Sequence, residues 1–185
     1  AREACILRYA ERHPELIMPS LTWVLDVGVM SIVGLNTNAL DDAQAMIAAR
    51  ALREAKGWTV IAGHHVLRTY HDKEEENVIR PWLDKHGLHP SVFLNAHAHL
   101  LQSGSYDGII ALTSGSAALP RNRPECPPSC EAGQRFGSSL SGYALLDVNT
   151  SRLKVGFYDN KGTLLHEEVH EGPVRPSHAD PREAL

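Results

Sequence analysis

The chain has little of what several common protein classes require. Its three cysteines are too few for a disulfide framework, and no apolar run approaches the roughly 18 residues that a membrane span needs. Lysine and arginine form no block, and the formal net charge of −4 argues against a nucleic-acid-binding surface. Neither a signal peptide nor an initial methionine is visible, which indicates a chain that begins mid-protein or after processing. We therefore expect no nucleic-acid partner and no membrane span.

Several catalytic signatures are also absent. The sequence contains no G-x-S-x-G elbow, no P-loop and no G-x-G-x-x-G turn. Ser114-Gly115-Ser116 follows a predicted strand and is suited to bind an anion through its backbone amides, but as a nucleophile it lacks a base. The 185 residues, of which 43% are apolar and 22% charged, have the length and balance of one globular domain.

The cysteine pair leaves the cellular compartment open. Cys126 and Cys130 enclose Pro-Pro-Ser, and three interpretations are compatible with this spacing: a small disulfide loop, two free thiols, or part of a soft metal site that needs two more ligands.

Strand-like and helical segments alternate in the first hundred residues, which predicts an α/β fold. Residues 114–141 form a long loop of the kind that is functional or disordered, and the Pro-rich tail 172–185 is predicted to be unstructured beyond a domain of residues 1–171. The apolar residues of the clearest helix form a stripe for packing on the sheet: Leu40, Ala43, Ile47, Ala51 and Ala55. The predicted helices cover 1–12, 40–56 and 77–86, and the predicted strands cover 21–25, 29–35, 58–62, 91–94, 108–113, 142–148, 153–158 and 164–170.

Histidines follow two of the predicted strands. His64 follows 58–62 after Gly63, and His97 and His99 follow 92–94 after Asn95-Ala96. Alternate side chains of an extended backbone share one side, and ligands of open α/β sheets gather at the carboxyl ends of neighbouring strands. Neutral imidazole is a common ligand of zinc, iron and manganese, so the pattern favours a metal site. The plainer interpretation is a set of hydrogen-bonded loop histidines.

Two further histidines lie in the same loop. His65 is expected to face away from His64, and we do not predict it as a ligand. His71, next to Asp72, is placed to protonate a leaving group, although a solvated loop histidine explains it equally well. The remaining histidines are predicted to be surface residues: His13, His86, His89, His166, His170 and His178.

Ordered motifs in residues 20 to 170 resemble the calcineurin-like metallophosphoesterases, and among them the purple acid phosphatase branch. The likeness is carried by four phrases: Leu35-Asn36-Thr37, Gly63-His64-His65, Ala96-His97-Ala98-His99 and Tyr143 to Asp147. The resemblance implies the carboxyl-terminal half of an αββα sandwich, an extracytoplasmic location and two bound metal ions, iron, zinc or manganese. In that family a metal-activated water attacks the phosphorus atom, so the implied substrate is a phosphorylated small molecule or a phosphoprotein.

Carried over by position, His64 and His97 would bind the second metal and His99 the first, with His71 as the nearest candidate to protonate the leaving alcohol. Ala96 stands where the family has glycine, which implies a mild change of geometry. The family's amino-terminal motifs, including the bridging carboxylate, do not occur in this chain. We therefore expect the missing half to be supplied in cis or in trans, and the isolated segment to be inactive.

Two alternatives come from the same observations. The first is a non-catalytic binding or structural remnant of the fold, which Ala96 and the missing motifs favour. The second is a mononuclear zinc protein that uses only His64, His97 and His99.

Overall fold

The computed structural model of the chain describes residues 3–15, 20–68, 78–122 and 125–172. The helices within these ranges are α1 (Glu3–Arg12), α2 (Asp42–Glu54) and α3 (Ile79–Lys85). Its strands are β1 (Trp23–Asp26), β2 (Met30–Gly34), β3 (Trp58–Ala62), β4 (Val92–Asn95), β5 (Leu101–Tyr106), β6 (Ile109–Ser114), β7 (Gln134–Ser138), β8 (Gly142–Val148), β9 (Arg152–Asp159) and β10 (Leu164–Glu171). No helix among these described ranges is long and apolar enough to cross a membrane.

The strands form two sheets. Seven lie in one sheet in the order β1-β2-β3-β4-β6-β5-β7, within which β2, β3, β4 and β6 are parallel to one another. The other sheet is an antiparallel meander with the order β10-β9-β8. The mixed α/β class expected from the sequence is therefore confirmed, with a central sheet whose parallel strands carry the histidine motifs.

Alternating side chains of the parallel strands fill two separate cores. Ile61 and Phe93 belong to the core that contains residues of α2 and α3, whereas Val60 and Val92 belong to the core between the two sheets. All four side chains are fully buried. Apolar residues on both faces are what a parallel sheet covered on both sides requires, and this explains the continuous apolar runs of β3 and β4.

The helix predicted at 40–56 is observed as α2 at Asp42–Glu54, and its buried face differs in part from the predicted stripe. Asp41 caps α2, since its Oδ1 accepts from the backbone N–H of Gln44 at 2.8 Å. The predicted stripe is wrong in part, because Ala43 and Ile47 are exposed while Ala45 and Ala48 are buried. Small apolar residues occur on every side of this helix, so their periodicity does not single out one face.

Gln44 shows why a polar residue lies on the buried face of α2. Its Oε1 accepts from Thr22 Oγ1 and from the backbone N–H of Asn36, both at 2.9 Å, and its Nε2 donates to the carbonyl of Ala39 at 2.6 Å. These bonds satisfy the buried amide and hold the loop after β2 against the helix.

Two strands were not predicted. The first, β5, is rich in Gln, Ser and Gly and has few of the β-branched residues that mark strands, yet it pairs on both sides with β6 and β7. The second, β7, lies inside the predicted loop 114–141 and pairs with β5, which is some thirty residues away. The irregular part of that loop contains the Cys126–Cys130 disulfide, one of the three interpretations open from sequence. Nearly all of the predicted unstructured tail, 173–185, lies outside the described residues.

The two sheets are joined at one edge by a charged cluster. Glu168 of β10 lies 3.2 Å from the guanidinium of Arg135 on β7 and 3.4 Å from Nε2 of His170. His166, on the same face of β10, stacks on Phe136 of β7 with ring centroids 4.7 Å apart. The expectation that His166 and His170 are surface residues is wrong, because the alternation of β10 turns both toward the space between the sheets.

This charged cluster makes the folding stability of the chain depend on pH. Burial raises the pKa of Glu168, but hydrogen bonds from His170 and Arg135 and the charge of His170 outweigh it and hold the pKa at about 2. A folded-state pKa below the unfolded value of 4.5 contributes stability that is present above pH 4.5 and is lost as the pH falls toward 2.

We predict that the free energy of unfolding, measured by urea denaturation, falls by on the order of 2 kcal/mol between these two pH values because of Glu168. Glu168→Gln should flatten the decline. The matched control Glu167→Gln, on the exposed face of the same strand, should keep it. Equal slopes for both variants and the parent chain would contradict this assignment.

Candidate functional site at the carboxyl edge of the parallel strands

The parallel strands bring four chain segments to one edge of the sheet. The segments that follow β2, β3, β4 and β6 contain Asn36-Thr37, Gly63-His64-His65, Ala96-His97 and Gly115-Ser116. Backbone bonds fix the middle two together, since Gly63 N–H donates to Leu94 O at 3.0 Å and Ala96 N–H donates to His64 O at 3.2 Å. The prediction that the histidine motifs follow neighbouring strands is confirmed.

Three imidazoles form a cluster at this edge, which we call the histidine cluster: His64, His65 and His97. Nδ1 of His97 lies 2.8 Å from Nε2 of His64, a distance at which one ring donates its proton to the other. The ring of His65 lies 5.3 Å from that of His64 and 5.0 Å from that of His97, measured between centroids. His64 is exposed and the other two are half-buried, so the cluster is open to solvent on one side.

His65 is the residue that sequence reasoning missed. The chain turns sharply after β3, so the alternation expected of an extended backbone does not reach this residue. Thr37 holds the turn, because its buried hydroxyl accepts the backbone N–H of His65 at 3.2 Å and lies 2.8 Å from Nδ1 of the same residue. A Cβ at Gly63 would come within 2.4 Å of Thr37 Cγ2, so only glycine allows this contact.

His99 has a different hydrogen-bond partner from the histidines of the cluster. Its Nδ1–H donates to the carbonyl of Leu119 at 2.8 Å, which leaves Nε2 as the nitrogen with the lone pair in the neutral ring. Its backbone has a φ of +52°, a left-handed conformation that few non-glycine residues adopt. A Cβ at Gly115 would lie 2.4 Å from Ala96 O and 3.1 Å from His99 N, so glycine lets the chain after β6 approach this turn.

Buried polar side chains support the edge from below. Asn95, the last residue of β4, accepts the hydroxyl of Thr113 at 2.8 Å. Gln102 of β5 donates through Nε2 to the carbonyl of Arg68 at 3.3 Å, which fixes the chain that leaves the histidine cluster. Asn95 and Gln102 are at least nine-tenths buried. The available sequence signal was a polar residue placed directly after an apolar run, as in Phe93-Leu94-Asn95.

The described residues do not by themselves form a metal site. None of their histidine, cysteine, aspartate and glutamate side chains form a group of three or more arranged to hold an ion. The two bonded nitrogens of His64 and His97 are 2.8 Å apart, whereas two imidazole nitrogens on a tetrahedral zinc lie about 3.3 Å apart. A metal at this pair would need the rings to separate and further ligands to be supplied. One feature does fit a ligand, since the bond from His99 Nδ1–H to a carbonyl is the usual support of a metal-bound imidazole.

The other predicted site residues have different outcomes. His71 lies outside the described residues, so its role stays a prediction. The assignment of His64, His97 and His99 as ligands also stays a prediction, although the structure brings the first two together. Ala96 has no left-handed backbone, so the methyl group that replaces the family's glycine causes no strain at this position.

Comparison with known proteins supports the fold. No family model matches the chain, and no curated protein does. Among solved structures it is similar to GAP50, the anchor in the inner membrane complex of Plasmodium, with a TM-score of 0.63 and 11% identity over 86% of this chain and 56% of that one. At 11% identity the similarity shows the fold alone.

Two more solved structures are similar at lower scores. A Streptococcus pneumoniae protein described as a predicted phosphoesterase has a TM-score of 0.44 and 14% identity, over 84% of this chain and 64% of that one. Vps29 from Entamoeba histolytica, in complex with zinc, has a TM-score of 0.40 and 18% identity, over 84% of this chain and 63% of that one. The chain spans less than two thirds of the length of each of these three proteins.

We predict that Thr37→Val lowers the free energy of unfolding by about 1–3 kcal/mol, because it leaves the backbone N–H of His65 without its acceptor. Thr37→Ser keeps the hydroxyl and should lose less. Urea denaturation of the two variants measures the difference. A valine variant as stable as the serine variant would show that the hydroxyl does not hold this turn.

Proposed function

We propose that the chain is part of a metal-dependent phosphoester hydrolase and carries its histidine ligands. One observation supports this proposal above others: the carboxyl ends of β3 and β4 place imidazole nitrogens of His64 and His97 within 2.8 Å of each other at an open edge of the sheet. Ligand sites of α/β sheets lie at such edges. The substrate class is a phosphorylated small molecule or a phosphoprotein.

The histidines are expected to have two roles, metal binding and proton donation. In the complete site His64 and His97 bind one metal ion and His99 the other, as the resemblance implies, and metal ions in such sites lower the pKa of a bound water. His71 is proposed to protonate the leaving group. The remaining ligands come from residues other than the described ones, because those form no group of three or more metal-binding side chains. We expect the chain alone to be inactive, because the family's amino-terminal motifs, including the bridging carboxylate, do not occur in it.

A second candidate, a non-catalytic binding or structural domain, is favoured by a different observation. Nitrogens of all four edge histidines have partners within the chain: His64 and His97 bond each other, His65 bonds Thr37, and His99 bonds Leu119. Hydrogen-bonded loop histidines need no metal. GAP50, which has a similar fold, is an anchor in the inner membrane complex of Plasmodium, and this candidate would give the chain a comparable non-catalytic role.

Metal content distinguishes the candidates. We predict fewer than one metal ion per molecule in the chain of residues 1–185, and two per molecule in the longest polypeptide that contains it, as two-metal hydrolases require. Elemental mass spectrometry of both purified proteins measures this. No metal in either protein would support the non-catalytic candidate, and one zinc without phosphatase activity would support the mononuclear alternative.

In the same long polypeptide, we predict that His97→Ala abolishes metal-dependent hydrolysis of a phosphomonoester and lowers metal content. His89→Ala is the matched control, since His89 is exposed and lies before the amino end of β4, at the opposite edge of the sheet. Its activity should equal that of the parent. Undiminished hydrolysis in the His97 variant would refute the assignment.

A further inference from the structure

The turn between β8 and β9 contains the tripeptide Asn149-Thr150-Ser151. It is the one place in the chain where asparagine is followed, after a residue other than proline, by serine or threonine. This pattern is the acceptor signal for N-linked glycosylation, and in a folded protein it is used on surface loops. Its sequence also suits a hairpin turn, so the structure must show whether the side chain is accessible.

The hydrogen bonds that hold Asn149 in this turn use its side-chain and backbone oxygens and not its side-chain amide nitrogen. Oδ1 accepts from the backbone N–H groups of Ser151 at 2.9 Å and Arg152 at 2.8 Å, and from the hydroxyl of Ser151 at 3.2 Å. The carbonyl of Asn149 accepts from the indole of the buried Trp58 at 2.9 Å. None of these four bonds uses Nδ2. Asn149, Thr150 and Ser151 are all exposed.

This turn lies far from the histidine cluster. Trp58 is the first residue of β3, and His64 follows the other end of that strand. Five strand residues at about 3.3 Å each place the two ends about 16 Å apart. A bulky group on Asn149 therefore projects from the edge of the sheet opposite to the candidate site.

An independent feature indicates the compartment in which such a modification occurs. Cys126 and Cys130 are joined in a disulfide. Disulfides persist in secreted proteins and in the lumen of the secretory pathway, and are rare in the cytosol. Sugar transfer to asparagine likewise takes place on secreted proteins.

We propose that Asn149 is an N-glycosylation site. In the transfer, Nδ2 forms a bond to the anomeric carbon of an oligosaccharide carried on a lipid diphosphate. The bond from that carbon to the diphosphate oxygen breaks, the lipid diphosphate leaves with the electron pair, and Nδ2 loses one proton to a base of the transferase. The product is a side-chain amide that bears one sugar chain on an exposed, rigid turn.

The test uses the full chain secreted from a eukaryotic host and the native protein from its source. Trypsin releases residues 136–152, which contain Asn149. In both preparations this peptide should carry a glycan that an N-glycosidase removes, with conversion of Asn149 to aspartate. Asn149→Gln and Ser151→Ala should lose the modification completely. Ser151→Thr, which keeps the hydroxyl, and Asn160→Gln, in an exposed turn without the acceptor pattern, should retain it.

Unmodified peptide from secreted, disulfide-bonded parent protein would overturn the proposal. Glycan in the host but none on the native protein would overturn it as well, because the turn would then be an acceptor only under forced secretion. Modification that persists in Ser151→Ala would show that the attached group is not N-linked at this tripeptide.

Discussion

The parallel pairing of β3 with β4 is the constraint on which the candidate site depends. The register, Val60 with Val92 and Ala62 with Leu94, ends both strands at the same level of the sheet. The next residues must turn there, and the two turns are then tied by Gly63 N–H to Leu94 O and by Ala96 N–H to His64 O. Because the strands are buried on both faces, this register cannot slip by one residue without exchanging the two cores.

The chemistry open to the carboxyl edge of the parallel strands depends on the bonding partners of its imidazole nitrogens. The bond between His64 and His97 satisfies one nitrogen of each imidazole without any ion, and it also places two metal-ligating nitrogens side by side. A complete phosphoesterase site would break this bond and use both nitrogens, whereas a structural domain would keep it. At this pair the two proposed functions thus differ in the separation of two rings by about half an ångström, and the hydrolase also needs further ligands.

Much of this arrangement could be predicted from sequence, and the rest could not for identifiable reasons. The apolar runs of β3 and β4 and the histidines after them predicted the edge, because burial on both faces and turn residues are local properties. β5 and β7 were missed because their pairing depends on distant partners, and β5 has Gln102 and Ser103 where strands usually have β-branched residues. His65 was missed because side-chain alternation ends where the strand does. Ile47 of α2 was predicted to face the sheet but is exposed, because the buried face of this helix is set by packing and not by the periodicity of its apolar residues.

The hydrogen bond between the rings of His64 and His97 can be tested directly. Nuclear magnetic resonance of the metal-free chain, with nitrogen-labelled histidine, should detect a scalar coupling between Nδ1 of His97 and Nε2 of His64 across their shared proton. His89→Ala should leave this coupling unchanged, and His97→Ala should remove it. Two rings that show no coupling and exchange protons independently with water would contradict the claim that neighbouring strand ends bring these histidines into one site.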